Sequence, residues 1–263
     1  MIVGGCDVGS LTSKAVVMRE GRIIGSAIAK SKARPSESAE IVMNMALNQA
    51  GCSIADLACV IGTGYGRDTI SFAADAVTEI ACHARGARWL LPTAMTVIDI
   101  GGQDCKAIRL DREGRVVKFA TNDKCASGTG RFLEVMARVL GLELEELGAI
   151  AARAKNPVTL ASACTVWAQA DVIAFLNNRV PIEDIAAGVN SAMASRMAVM
   201  AHGVGIEPDV CMTGGVAKNE GVVTALEKLL GVRIKKIRRY DPQLAGAVGA
   251  ALYAEEKARG GVR

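Results

Sequence analysis

Aromatic residues are scarce in this chain, since Phe, Trp and Tyr together make up 3% of its 263 residues. The chain also lacks an apolar run near the roughly 18 residues that a membrane-spanning helix needs. Its first residues contain neither a basic segment nor an apolar core, unlike a signal peptide. These absences predict a cytoplasmic protein without a membrane partner. Trp89 and Trp167 are expected to be packing residues.

Excess positive charge is also limited, with a formal net charge of +4. The densest basic stretch, residues 233–239, has no interleaved aromatic residues of the kind that single-strand binders use. No nucleic-acid partner is therefore expected, and the stretch predicts a strand with a solvated basic end.

Local metal-binding patterns are missing as well. No two cysteines have Cys-x-x-Cys spacing, and the only histidines, His83 and His202, stand alone. A zinc finger or a ferredoxin site within one chain is therefore not expected. Most of the cysteines are expected to be small, reduced core residues. The eight cysteines are at positions 6, 52, 59, 82, 105, 125, 164 and 211.

The chain does contain an internal repeat. Residues 7–24 and residues 99–117 both begin with Asp-x-Gly, have Lys seven residues after the Asp, and continue into an Arg-Glu-Gly-Arg turn. Each copy predicts a strand, a glycine turn, a second strand, a hairpin and a third strand. Two related halves follow from this duplication.

Helical periodicity and strand-like runs fill the remainder, so the predicted fold class is α/β. Helices are expected at residues 36–50, 77–91, 128–140, 184–203, 216–230 and 241–257. Further strands are expected at residues 55–62, 210–213 and 232–237.

The repeated Asp-x-Gly turn suits phosphate chemistry, because a glycine lets the backbone approach an anion and Lys adds a point charge. Asp7 and Asp99 are candidates to hold the hydration shell of Mg²⁺, and Gln103 and Asp104 to orient an attacking water. An ordinary hairpin glycine is the alternative, but duplication favours a phosphate cleft between the halves. The candidate phosphate ligands are Gly9, Ser10, Thr12, Ser13, Lys14, Gly101, Gly102 and Lys106.

A glycine pair between a strand and a helix, in residues 214–219, offers a flat backbone for a nucleoside. A tight strand–helix turn is the alternative. The chain has no P-loop and no Gly-x-Gly-x-x-Gly after a strand, so neither of those folds is supported. The candidate residues are Gly214, Gly215, Val216 and Asn219, with Gln243 and Gly246 from the closing helix.

Two cysteines, Cys125 and Cys164, each precede a helical stretch. Helix N-termini stabilise the thiolate, which is the form that binds metal. One chain offers two such thiols, whereas an iron–sulfur cluster generally needs four ligands, and a two-fold homodimer would supply four. On spacing alone, two buried cysteines remain the favoured alternative.

Together these elements resemble the superfamily of actin, heat-shock chaperone ATPases and acetate and sugar kinases. That resemblance implies two ribonuclease-H-like domains with ATP between them. The first would comprise residues 1–93, completed by a C-terminal helix at 240–263, and the second residues 94–239. The segments that carry the resemblance are residues 7–14, 99–106 and 212–219.

Longer motifs are similar to those of the activators of 2-hydroxyacyl-CoA dehydratases, whose family includes the ATPase subunits of benzoyl-CoA reductase. The similarity runs from Ile2 to about Lys257. The matching motifs are residues 7–10, 63–67, 97–104, 122–133 and 212–217.

This family resemblance implies ATP or ADP with Mg²⁺, and one [4Fe–4S] cluster held at the interface of a homodimer. Cys125 and Cys164 of each subunit would be its ligands, and Gly128, Thr129 and Gly130 further nucleotide-binding residues. It also implies ATP-dependent electron delivery, with a ferredoxin or flavodoxin as donor and an iron–sulfur dehydratase or reductase as acceptor.

Other functions stay open. In one alternative the acceptor is a benzoyl-CoA reductase or a double-cubane cluster protein. From other classes, a small-molecule kinase of the same superfamily would recruit Asp104 as base, and an actin-like filament would use ATP to control assembly. Neither needs Cys125 or Cys164. Residues 63–67 line the cleft in one interpretation and form a plain turn in another.

Overall fold

The computed structural model describes residues 1–161 and 164–260. Part of the predicted motif before Cys164 and the end of the predicted segment 240–263 lie outside these residues. Within the described residues, ten strands form two five-stranded sheets accompanied by eight α-helices. No described helix is both long enough and apolar enough to cross a bilayer.

The first sheet has the strand order β3-β2-β1-β4-β5. Its strands are β1 (Ile2–Val8), β2 (Thr12–Arg19), β3 (Arg22–Lys30), β4 (Cys59–Thr63) and β5 (Asp75–Ala76). β1 and β2 are antiparallel, with Asp7 directly opposite Lys14, whereas β1 and β4 are parallel. This register places the two charged residues of the first repeat side by side.

The second sheet has the order β10-β9-β6-β7-β8. Its strands are β6 (Thr96–Ile100), β7 (Cys105–Leu110), β8 (Val116–Asn122), β9 (Val210–Thr213) and β10 (Ile234–Lys235). The three strands predicted in each repeat are therefore confirmed. Two other strand predictions were too long, since β4 begins only at Cys59 after a turn at Ile54–Asp56, and β10 has two residues.

The helices are α1 (Pro35–Ala50), α2 (Glu79–Leu90), α3 (Gly130–Leu140), α4 (Glu146–Ala151), α5 (Thr165–Asn177), α6 (Ile182–Val204), α7 (Glu220–Leu230) and α8 (Ala245–Ala258). Helix α1 ends where predicted, because Gly51 adopts a left-handed conformation (φ 65°), so that its N–H donates to the carbonyl of Asn48 and the N–H of Cys52 to that of Leu47.

The chain divides into two compact units. The first contains Met1–Val97, Leu110–Val117 and the described residues from 237 onward, and the second contains Ile98–Arg109 and Lys118–Lys236. In the second unit, apolar side chains of α3, α6 and α7 form one core with the sheet.

In the first unit, the sheet is covered on both faces. Alternate side chains of β2 point to opposite sides, as the two-residue period of a strand requires. Val16 and Met18 pack with residues of α8, and Ala15 and Val17 pack with residues of α1.

Helix α8 meets its neighbours through backbone rather than through large side chains. A β-carbon at Gly5 would lie 2.0 Å from the carbonyl oxygen of Ala247, and one at Gly249 would lie 1.9 Å from that of Cys82. On α2, a β-carbon at Gly86 would lie 1.8 Å from the carbonyl oxygen of Ala245. Because peptide groups occupy this space, this core has little room for aromatic rings, which accords with the low aromatic content.

Candidate functional site

The first repeat places a carboxylate and an ammonium side by side at the end of β1. Lys14 Nζ lies 3.3 Å from Asp7 Oδ2, and the side chain of Asp7 is buried. Desolvated charges of this kind require a partner, which each residue supplies to the other. The pair is thus a fixed, charge-balanced group beside the glycine turn.

The turn after Asp7 is held tightly. A β-carbon at Gly9 would lie 2.7 Å from the carbonyl oxygen of Thr12. Ser31 donates its hydroxyl to the Gly9 carbonyl at 2.7 Å, and its oxygen lies 2.9 Å from that of Ser13. Ser13 is buried, whereas Ser10 and Thr12 are half-buried. The Ser13 hydroxyl is therefore already engaged within the protein.

The second repeat reproduces the charged pair. Lys106 Nζ lies 3.3 Å from Asp99 Oδ2 and also contacts Asp104 Oδ2. Thr213 on β9 donates its hydroxyl to Asp99 Oδ1 at 2.7 Å. Asp99, Lys106 and Thr213 are all buried, so both carboxylate oxygens of Asp99 are positioned by fixed donors.

The turn after Asp99 is joined to helix α3. Gly101 donates its N–H to Asp104 and accepts one from Gly130 at 2.8 Å. Gly102 accepts the N–H of Arg131, also at 2.8 Å. These bonds satisfy N–H groups that a helix N-terminus otherwise leaves unpaired. The turn and the start of α3 therefore form one hydrogen-bonded structure.

Three predicted residues lie at or before the start of α3. Gly128 has φ 86°, which ends the preceding loop and explains why the helix begins at Gly130 instead of 128. Thr129 is buried and donates its hydroxyl to the Ala126 carbonyl at 2.7 Å. Gln103, by contrast, is exposed in the neighbouring turn.

The predicted glycine pair follows β9. Gly214 has φ 82°, and a β-carbon there would lie 2.3 Å from the carbonyl oxygen of Ile100. A short 3-10 turn, Gly215–Lys218, comes next, with Val216 buried. Asn219 then caps α7 by accepting the N–H groups of Gly221 and Val222. The single helix expected from residue 216 is therefore wrong, because this cap starts a new one.

The first unit contains a corresponding arrangement at the end of β4, where a buried Thr is again followed by a glycine with positive φ. This correspondence was not predicted from the sequence. Thr63 is buried and followed by Gly64 with φ 87°, and a β-carbon at Gly64 would lie 2.4 Å from Asp7 Oδ1. Thr63 donates its hydroxyl to the Val77 carbonyl at 2.9 Å. The signal available in the sequence was a Thr-Gly after a short apolar strand in each half.

The closing segment contributes to the surroundings of Asp7. A β-carbon at Gly246 on α8 would lie 2.8 Å from Asp7 Oδ2. Gln243 donates its backbone N–H to Asp241 in the turn before α8. Whether Gln243 and Gly246 complete a nucleoside site with Gly214 stays a prediction.

The eight cysteines differ sharply in exposure. Cys125 and Cys164 are exposed, whereas Cys52 is half-buried and the other five are buried. Burial raises the pKa of Cys105 to about 11, and those of Cys82 and Cys211 to about 12. The favoured alternative of two buried residues at 125 and 164 is therefore wrong.

The backbone around Cys125 is held by Asn122. The Asn122 amide donates to the carbonyl of Cys125 at 2.9 Å and to that of Ser127 at 3.3 Å. Arg196 Nη2 lies 3.9 Å from Cys125 Sγ. Cys125 lies in a loop five residues before α3, so its expected position at a helix N-terminus is wrong.

Cys164 does lie at a helix N-terminus, as the N-cap residue of α5, and α5 packs against α3. The prediction that Trp167 is a packing residue is wrong, because 67% of its surface is exposed. Only Ala168 and Val172 of α5 are buried, so an apolar helix face is left uncovered in this chain. Trp89 is half-buried and packs beside Tyr240.

Comparison with known proteins identifies close relatives. The activator of lactoyl-CoA dehydratase of Anaerotignum propionicum is 46% identical over 255 residues, covering 97% of this chain and 98% of that protein. One of the benzoyl-CoA reductase subunits of Thauera aromatica is 34% identical over 261 residues, covering 96% and 92%. Both relatives therefore align along nearly their whole length.

Solved structures agree with these relatives. The activator of the 2-hydroxyisocaproyl-CoA dehydratase from Clostridium difficile with bound ADPNP has a TM-score of 0.94 at 40% identity, covering 99% of this chain and 96% of that one. A ROK family glucokinase from Streptomyces griseus has a TM-score of 0.56 at 15% identity, covering 97% and 100%, which shows the fold alone. The predicted actin-like and sugar-kinase-like fold is confirmed.

The family model that matches this chain covers residues 5–254, a span that includes both Asp–Lys pairs, both glycine-ended strands and both exposed cysteines. The family predicted from the motifs is thereby confirmed, and the chain belongs to the BadF/BadG/BcrA/BcrD ATPase family.

Proposed function

We propose that this chain is an ATP-dependent one-electron donor that activates a partner iron–sulfur enzyme, most simply a 2-hydroxyacyl-CoA dehydratase. The electron would come from a ferredoxin or flavodoxin and leave through a [4Fe–4S] cluster shared by two copies of the chain. The observation that carries the proposal is the exposure of Cys125 and Cys164 in an ATPase whose remaining cysteines are buried or half-buried.

The nucleotide would be bound by the paired elements of the two units, which we propose are the two ATPase domains. Lys14 and Lys106 supply positive charge for phosphate oxygens beside glycine turns. Asp7 and Asp99 offer buried carboxylates of the kind that hold the hydration shell of Mg²⁺. This metal would neutralise phosphate charge when bound.

Gln103 and Asp104 lie at the end of the second turn. Gln103 is exposed and free to orient a water, as we propose. Asp104 is held by the ammonium of Lys106, which keeps its carboxylate close to the turn. A pairing of this kind suits a positioning role better than that of a base that must take up a proton.

The thiols fit an iron–sulfur cluster in chemistry and in surroundings. Two exposed thiols are half of the four ligands that a [4Fe–4S] cluster takes. Beside Cys164, the hydroxyl of Thr165 is buried without a hydrogen-bond partner among the described residues. Sulfide acceptors near Cys164 would satisfy that hydroxyl. When bound, the cluster would supply a one-electron couple.

The second copy of the chain would cover the open face of α5. Val166 is 71% exposed and Trp167 67% exposed, two and three residues after Cys164, and the exposed Ile173 lies one to two turns further on. Contiguous apolar surface of this kind is typical of protein interfaces. A two-fold homodimer would bury this face and bring the four thiols together.

ATP would act by favouring the electron-donating state. A ligand shifts a conformational equilibrium only if it binds one state better than the other. The turn at Gly101–Gly102 contacts the start of α3 through two 2.8 Å hydrogen bonds, and the Cys125 loop leads into the same helix. We propose that this connection transmits the nucleotide state to Cys125.

The acceptor is a proposal based on the relatives. A lactoyl-CoA dehydratase activator at 46% identity favours a 2-hydroxyacyl-CoA dehydratase. The similarity to a component of benzoyl-CoA reductase keeps an aryl-CoA reductase, or a related double-cubane protein, as the second candidate. The small-molecule kinase has weaker support, since the glucokinase shares the fold alone and Asp104 is already paired.

The test is iron content after anaerobic purification and reconstitution. We expect brown protein with about four Fe per dimer. Cys125→Ser should remove the visible absorbance while ATP binding, measured by calorimetry, stays near that of the wild type. The matched control is Cys52→Ser, a half-buried cysteine outside both motifs.

Colourless, iron-free wild-type protein from a reconstitution that succeeds with a reference ferredoxin would refute the electron-transfer proposal. Cys125→Ser protein with unchanged absorbance would show that the ligand assignment is wrong. Loss of colour in Cys52→Ser to the same extent would show a general effect of cysteine removal instead.

A further inference from the structure

One cation reaches Cys125 from a distant part of the chain. Arg196, on α6, is 71 residues further along, and its Nη2 lies 3.9 Å from Cys125 Sγ. Helix α6 packs next to the loop, since a β-carbon at Gly128 would lie in van der Waals contact with Cβ of Arg196, at 3.4 Å. The fold therefore brings this guanidinium to the sulfur.

The position of Cys125 is fixed without Arg196. The Asn122 amide holds the carbonyls of Cys125 and Ser127, and the loop continues into Thr129, which bonds to Ala126. These bonds lie within residues 122–129, so they persist if the side chain at position 196 changes. Arg196 contributes its charge to the sulfur rather than the shape of the loop.

The charge of Arg196 is directed to the sulfur. Across the residues that the structure describes, no carboxylate forms an ion pair with Arg196, and its one hydrogen bond goes to Cys125. Arg131, at the start of α3, differs because Glu134 Oε2 lies 2.7 Å from its Nη1. Arg196 is thus a net positive charge beside the proposed ligand.

We propose that Arg196 sets the reduction potential of the cluster that Cys125 would hold, by placing a positive charge and a hydrogen-bond donor at its sulfur. The inference rests on the proposed function. Gaining one electron makes the cluster more negative, and a nearby cation stabilises that state. Arg196 therefore raises the potential, which eases reduction by a ferredoxin or flavodoxin. No bond forms or breaks in this step.

The experiment is a redox titration of full-length, anaerobically purified protein, followed by visible absorbance and electron paramagnetic resonance. For Arg196→Gln we expect the ratio of reduced to oxidised cluster at a given potential to fall about tenfold, which is a shift of about −59 mV for one electron. Arg196→Lys keeps the charge, and its reduction potential should lie between those of Arg196→Gln and the wild type.

The matched control is Arg138→Gln. Arg138 is exposed in the last turn of α3, eight residues beyond Gly130, or about 12 Å along the helix axis. The reduction potential of the Arg138→Gln variant should equal that of the wild type. A shift in Arg138→Gln as large as that in Arg196→Gln would overturn the proposal, because a general change in net charge would then explain both shifts.

Equal iron content and equal potential in Arg196→Gln and wild type would also overturn it. If Arg196→Gln fails to fold, Arg196→Met, which also removes the charge, decides, and a wild-type potential in that variant counts against the proposal. If neither variant binds iron, Arg196 serves assembly and not the potential. A colourless wild type refutes the proposed function itself, whereas brown wild type with an unresponsive potential refutes only this role.

Discussion

Replacing Thr213 by Val would remove the hydroxyl that donates to Asp99 Oδ1 at 2.7 Å while keeping the shape of the side chain. Both residues are buried, so water does not replace the lost donor. Hydrogen bonds to charged groups contribute about 1.5–3 kcal/mol to stability. We therefore expect the free energy of unfolding to fall by about 2 kcal/mol, while Lys106 stays in contact with Asp99.

The structure supplies a matched control in the first unit. Thr63 is equally buried and also precedes a glycine with positive φ, but its hydroxyl donates to the neutral carbonyl of Val77 at 2.9 Å. A neutral hydrogen bond contributes about 1 kcal/mol. Thr63→Val should therefore cost about half as much as Thr213→Val.

Urea unfolding at pH 7 without nucleotide, followed by circular dichroism, measures both variants. The dependence of the unfolding free energy on urea concentration should be the same in the wild type, Thr213→Val and Thr63→Val. Thr213→Ser, which retains the hydroxyl, should recover most of the loss. If Thr213→Val costs no more than Thr63→Val, the charge of Asp99 does not strengthen the bond and the argument fails.

Two further predictions concern Gly214 and Cys211. Gly214→Ala should lower stability by at least about 3 kcal/mol and abolish ATP binding in calorimetry, because φ is 82° and the new β-carbon would lie 2.3 Å from the Ile100 carbonyl oxygen. Gly231→Ala, at φ 67° in open space, should cost about 1 kcal/mol and keep ATP binding; equal losses would refute the steric argument. Burial raises the pKa of Cys211 from 9.0 to about 12. The folded state thus favours the neutral thiol. The contribution of Cys211 to the free energy of unfolding is therefore complete below pH 9 and is lost as the pH rises to 12. The stability advantage of wild type over Cys211→Ala should shrink by about 1.4 kcal/mol per pH unit in that range, and a pH-independent difference in urea unfolding would contradict this.

The strand–turn–strand units predicted in each repeat carry the charged pairs, although the pairing of Asp with Lys was not itself predicted. An Asp and a Lys seven residues apart, with a glycine turn between them, become cross-strand neighbours in an antiparallel hairpin, as Asp7 and Lys14 do. The same local rule applies to Asp99 and Lys106, which also meet at 3.3 Å. Local spacing determines these contacts, so they follow from the hairpins that periodicity and turn chemistry predict.

Contacts between distant segments were not predictable in this way. Thr213 meets Asp99 across 114 residues, and Arg196 meets Cys125 across 71. Neither spacing nor composition specifies which helix face approaches which loop. The exposure of Trp167 was missed for a related reason, since an apolar helix predicts burial but not whether the covering surface belongs to the same chain.

The packing of α8 on β1 has a consequence for folding during synthesis. Strand β1 ends at Val8, yet part of its buried surface is covered by residues 245–258, which the ribosome adds only after the whole second unit. Synthesis proceeds at about 5–20 residues per second, and domains generally fold as units as they emerge. The second unit, which ends at Lys236, can therefore complete its core first, although the first unit began earlier. Until α8 emerges, Val3, Val16 and Met18 lack their covering helix, and this is the interval in which the nascent chain is most exposed to aggregation.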